Sequence, residues 1–118
     1  MPAQKPEDLS PLFQSAIRSG DVEAALALYE SDAVFPNAGG ELRAGLEEIR
    51  QELAPLAAAK PDLSHQVKRV MKSGDLALMY SDWKMTSPFE ASGQATEVAR
   101  RQPDGSWRYV IDDSFTAR

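Results

Sequence analysis

The chain ends in a segment, Ser92 to Asp113, that reads S-G-Q-A-T-E-V-A-R-R-Q-P-D-G-S-W-R-Y-V-I-D-D and has few ways to fold except as one long β-hairpin. Pro103 presets φ for the turn, Asp104 can bond its own backbone, and Gly105 accepts the positive φ of a tight reversal. The flanking strands then pair, and a reversal centred between Asp104 and Gly105 sets Glu97 directly opposite Asp112 on one face. A one-residue bulge would shift this register and send one acid to the other side. Both acids lie among apolar residues, in A-T-E-V-A and Y-V-I-D-D, where a core-facing carboxylate is costly unless paired, hydrogen-bonded or protonated. If they face inward together, repulsion and desolvation leave one of the two protonated near neutral pH, and Glu97→Gln is expected to raise stability there. Glu97 and Asp112 are therefore the candidate catalytic residues.

The 118 residues, 42% of them hydrophobic, fit a single domain spanning 1–118. A net charge of -5 with no basic run argues against a nucleic acid or an anionic membrane as partner. The absence of Cys removes disulfides and thiolate metal sites. The polar start, Pro2 to Pro6, has no apolar core of a leader or span, so a soluble cytoplasmic protein is expected. No zinc or iron centre and no cofactor are expected, because His65 is the one histidine and there is no phosphate loop or dinucleotide fingerprint. His65, at the start of a strand after a polar turn, is expected at the surface.

An amphipathic helix lies between Pro6 and Ser19 with Leu9, Leu12, Phe13, Ala16 and Ile17 on one stripe; Ser10 as N-cap with Pro11 at the first helical position spares an interior hydrogen bond. Gly20 stops it, and Asp21 caps a second helix over Val22 to Tyr29. A short hairpin follows around Gly39-Gly40, then a third helix on Leu46, Ile49, Leu53 and Leu56, whose last turn Pro55 should fray. Strands are expected at Ser64 to Lys72 and Leu76 to Thr86, the latter opening L-A-L-M-Y as though buried on both faces. The result is an α+β domain with helices on one face of a curved sheet of long antiparallel strands.

S-G-D-V-E-A-A-L-A-L-Y-E-S-D-A-V-F, L-R-A-G-L-E-E-I, G-D-L-A-L and the P-D-G-S-W hairpin, in that order and spacing, resemble the nuclear transport factor two-like (cystatin-like) superfamily, in particular its ketosteroid-isomerase-like and SnoaL-like small domains. The resemblance covers nearly the whole chain. It implies a cone-shaped sheet wrapped around helices, an apolar pocket within the cone for a small apolar molecule, and a homodimer packed through the outer sheet face. It does not imply one chemistry. Steroid isomerases carry a general-base Asp where this chain has Asn37 and an oxyanion-hole Tyr where it has Phe13, while their protonated Asp falls on Glu97. The epoxide-hydrolase relatives place an Arg two residues before the first acid, where this chain has Ala95. The resemblance thus implies Phe13, Ile17, Tyr29, Asn37, Trp83, Ala99 and Val110 as pocket-lining positions, with the steroid isomerase pattern not retained. Two functional classes follow: a ligand-binding module, or an enzyme using Glu97 and Asp112 as an acid/base pair.

Overall fold

The computed structural model describes residues 2–115. A 3-10 turn at Pro6–Asp8 runs directly into helix α1, Leu9–Ser19, which ends at Gly20 in the left-handed region (φ 80°). Asp21 then caps α2, Val22–Leu26, by accepting from the Ala24 N–H at 3.0 Å. Strands β1 (Tyr29–Pro36) and β2 (Leu42–Ala44) form the short hairpin, and α3 spans Leu46–Ala58, continuing through Pro55. Four longer strands follow: β3 (Leu63–Ser73), β4 (Leu76–Met85), β5 (Ala91–Arg101) and β6 (Trp107–Asp113). They form one six-stranded sheet in the order β2-β1-β6-β5-β4-β3. Among the described residues, no helix is long and apolar enough to cross a membrane.

Three expectations change. The α1 helix begins before Ser10, so Pro11 sits in the first turn, where backbone N–H groups have no intrahelical partner and a proline costs little. The second helix stops at Leu26, and Tyr29 opens β1 instead of closing α2. The sheet is also mixed, because β1 runs parallel to β6, pairing Tyr29 with Tyr109 and Val34 with Ile111. The return of the chain through four other strands before β6 makes this parallel neighbour possible.

Period-two alternation places the sheet's inner face. On β4 the side chains of Ala77, Met79, Ser81 and Met85 are buried, and on β5 those of Ala95, Glu97 and Ala99. The helices cover this face with Leu9 and Ile17 from α1, Ala25 and Leu26 from α2, and Ile49 and Leu53 from α3. Ile17 and Ile49 are fully buried, so truncating either to Ala should cost about 2–5 kcal/mol. The outer face of β4 is open: Leu76 is 43% and Tyr80 41% exposed. The apolar start of this strand therefore reflects an apolar outer surface, not two covered faces within one chain.

Candidate functional site

The closing hairpin reaches the expected acid pairing by a different route. Its loop is three residues long: Gln102 N–H donates to the Ser106 carbonyl (2.7 Å), Gly105 takes φ 88°, and Asp104 Oδ1 accepts from both the N–H and the hydroxyl of Ser106. Pairing near the turn is thus centred on Asp104, with Arg101 opposite Trp107 and Ala99 opposite Tyr109. One extra residue in β6, Val110, then shifts the register, so that Val98 meets Ile111 and Glu97 meets Asp112. The longer loop and the bulge offset each other. Val110 is the casualty: the inner place opposite Ala99 belongs to Tyr109, which is 1% exposed, and Val110 is the bulged residue.

Glu97 and Asp112 both face inward, 1% and 5% exposed. Glu97 Oε1 accepts from the Ser81 hydroxyl at 2.8 Å, and Oε2 lies 3.1 Å from Nε2 of His65. On the other ring nitrogen, His65 Nδ1 is 2.5 Å from Ser10 Oγ, which also donates to the His65 carbonyl at 3.0 Å. Asp112 Oδ2 accepts from the Tyr29 hydroxyl at 2.6 Å. Asp112 Oδ1 has no hydrogen-bond partner; the other buried side-chain atom without one among the described residues, Arg43 Nε, at least has a Glu52 carboxylate oxygen 3.4 Å away.

His65 is therefore not a surface residue. Its side chain is 6% exposed, with the Phe13 ring centroid 6.1 Å away. The signal was in the sequence: Leu63, His65 and Val67 alternate with Ser64, Gln66 and Lys68, which puts the imidazole on the apolar side of β3. Reading Ser10 as an N-cap hid its partner, since a hydroxyl committed to a helix terminus is not free to reach a histidine on a strand. The same helix also serves the His65 backbone, whose N–H donates to Gln14 Oε1 at 3.0 Å. Because β3 is an edge strand, its outward N–H and C=O groups need such partners, and Ser10 and Gln14, one helical turn apart, provide them.

Electrostatics act strongly on Asp112. Burial, then the charge of Glu97, raise Asp112 from 3.8 to about 7, with Tyr29 and His65 acting in the opposite direction. Burial works to lower the His65 pKa, but the hydrogen bond to Glu97 and the charges of Glu97 and Asp112 leave it raised. Tyr29 and Tyr109 are both driven well above the usual phenol value, by burial first; the charge of Asp112 comes next for Tyr29 and that of Glu97 for Tyr109, so both remain neutral hydroxyls. Asp112 is thus a carboxyl that still holds its proton well above the ordinary carboxylate range.

Of the remaining candidates, Ile17 and Ala99 are fully buried in the core, and Tyr29 packs its ring 5.2 Å from that of Tyr109. Phe13 and Trp83 are half-buried, and the Trp83 indole N–H donates to the Ser114 carbonyl at 2.7 Å. Asn37 does not join the acids. Its Oδ1 accepts from the N–H groups of Gly39 and Glu41, and its Nδ2 faces Glu41 and Glu52, which commits the side chain to the β1–β2 turn.

Residues 12–114 match a family model described as a SnoaL-like domain. The fold is similar to an NTF-2 like protein of unknown function from Shewanella oneidensis (21% identity, 92% of this chain and 93% of that one, TM-score 0.76). It is similar also to a protein of unknown function with a cystatin-like fold from Nostoc punctiforme (25% identity, 90% and 84%, TM-score 0.71). A third similar structure is a ketosteroid isomerase-like protein from Erwinia carotovora atroseptica (21% identity, 91% and 89%, TM-score 0.67). No curated protein matches the chain by sequence.

Proposed function

Because the chain belongs to the SnoaL-like domain family, we propose that it binds a small, largely apolar molecule inside the cone and transfers a proton to or from it through Asp112. The observation that carries this reading is Asp112 Oδ1: a buried oxygen with no partner, on a carboxyl raised to about 7. Ionised, the carboxylate takes an α-proton from a ligand carbon, the C–H electron pair passing into an enolate whose oxygen carries the charge; the neutral acid so formed exchanges with solvent and returns a proton to the same carbon. An acid poised near the working pH does both, and the Tyr29 hydroxyl on Oδ2 steadies the ionised form. Glu97 is the neighbouring carboxyl, bonded by the Ser81 hydroxyl and 3.1 Å from His65 Nε2. Since both acids are closed to solvent, a ligand reaches them only by displacing side chains of the core, among which Phe13, with its ring 6.1 Å from that of His65, is half-buried.

The test is exchange of α-protons of a cyclic enone, cyclohexenone, in deuterated water, followed by proton NMR. The expected result is protein-dependent exchange that falls about 10²–10⁴-fold in Asp112→Asn. Ligand-induced shifts of the Asp112 carboxyl without exchange would leave a binding module and remove the chemistry. Exchange that survives Asp112→Asn would place the chemistry elsewhere.

For assembly, the reading is a two-fold homodimer through the outer sheet face. Met71, Leu76, Tyr80 and Ile111 lie there at 38%, 43%, 41% and 46% exposure, an apolar surface that a second copy of the same face would cover.

A further inference from the structure

The hydrogen bonds around His65 fix more than its position. Ser10 has one hydroxyl proton, and it is donated to the His65 carbonyl at 3.0 Å. The carbonyl can only accept, so with the Ser10 proton directed there the Ser10 oxygen accepts from Nδ1, which then carries a proton. Toward Glu97, the second proton lies either on Nε2, giving imidazolium and carboxylate, or on Oε2, giving a neutral pair. A carboxyl is about two units more acidic than an imidazolium, and Glu97 Oε1 already accepts from Ser81, which favours the carboxylate. His65 and Glu97 together then carry no net charge, and ionising Asp112 would add an uncompensated one to a buried cluster.

From this geometry we infer that His65 is a positioning residue for the acid pair: held as an imidazolium between Ser10 and Glu97, it keeps Glu97 ionised and so assigns the pair's exchangeable proton to Asp112. The groups that face the cluster are accounted for from each element that builds it. They are Ser10 from α1, Tyr29 from β1, Ser81 from β4, Glu97 from β5, and Tyr109 and Asp112 from β6, with the adjacent Asp113 acting on Asp112 through its charge. Tyr29 and Tyr109 are neutral, so His65 is the cation among them. This assignment rests on reading Glu97 and Asp112 as the functional pair, but its readout needs no substrate.

The experiment is nitrogen NMR of the imidazole and carbon NMR of the side-chain carboxyls in the full chain across pH. At pH 6 both His65 nitrogens should be protonated, Glu97 should show the ionised and Asp112 the acid signal. In His65→Gln the Glu97 signal should move toward the acid form at the same pH, because the amide supplies a hydrogen bond without a charge. Ser10→Ala, which keeps the imidazole but removes the acceptor on Nδ1, should lower its protonation constant about tenfold. Should His65→Gln fail to fold, Ser10→Ala decides. A neutral His65 with one protonated nitrogen at pH 6 overturns the inference, as do carboxyl signals unmoved by His65→Gln or an imidazole constant unmoved by Ser10→Ala. A cyclic enone that never exchanges would defeat the proton-transfer reading and leave these signals in place, so the two failures are distinguishable.

Discussion

Asp112 has a definite consequence for stability. Its pKa is 3.8 before folding and about 7 after, so the unfolded chain ionises first as pH rises, and the native state is progressively penalised between about pH 4 and pH 7. His65 acts in the same direction: its folded pKa is raised, so its contribution is full below the unfolded value near 6.5 and is lost as pH passes the folded one. Denaturation of Asp112→Asn and wild type across pH should therefore show the variant gaining on wild type by up to about 1.4 kcal/mol per unit inside the Asp112 window and level outside it. Parallel curves would place the native titration of Asp112 at the ordinary carboxyl value. Tyr29→Phe removes a donor that lowers the Asp112 pKa, so carbon NMR should find its midpoint moved above about 7. A midpoint that falls would mean the phenol does not bond Oδ2.

At the scale of elements, α1 does two jobs. It buries Leu9 and Ile17 against the sheet, and through Ser10 and Gln14 it satisfies the backbone of the edge strand β3 at His65. Gln14→Ala leaves the His65 N–H without its acceptor and should cost about 1 kcal/mol, with faster hydrogen exchange at that amide. Unchanged exchange there would show that water replaces the Gln14 oxygen at no loss. The helix and its apolar stripe were legible from spacing alone. What Ser10 does was not, because a serine before a proline suits an N-cap equally well, and only the docking of helix on strand decides between the two partners.

For the whole molecule, the proposed dimer rests on the outer sheet face. Tyr80→Glu or Ile111→Lys puts a charge into the proposed two-fold interface without touching the inner face, and should convert a dimer to a monomer by light scattering at micromolar concentration. A wild-type monomer mass at that concentration would remove the dimer. Both side chains are more than two-fifths exposed in the single chain, so the fold itself should tolerate the changes, with intrinsic stability altered by no more than about 0.5 kcal/mol.

The sequence by itself determined the order of elements, the α+β class, the closing hairpin and Glu97 and Asp112 as candidate partners across it, but not which way the two face, because periodicity and turn chemistry are local properties written in neighbouring residues. The tertiary structure decided the rest. A bulge at Val110 costs one residue that no local pattern announces, yet it makes Tyr109 the inner neighbour of Ala99 and brings Asp112 to Glu97 past a loop one residue longer than a tight reversal. The parallel pairing of β1 with β6 joins Tyr29 to Asp112 across most of the chain. His65, Ser10 and Glu97 come from three elements far apart in sequence, and each taken alone has an ordinary explanation: an exposed ring, a cap, a solvated acid. Their meeting is a property of packing, since burial removes the water that would otherwise satisfy each group and leaves them only one another.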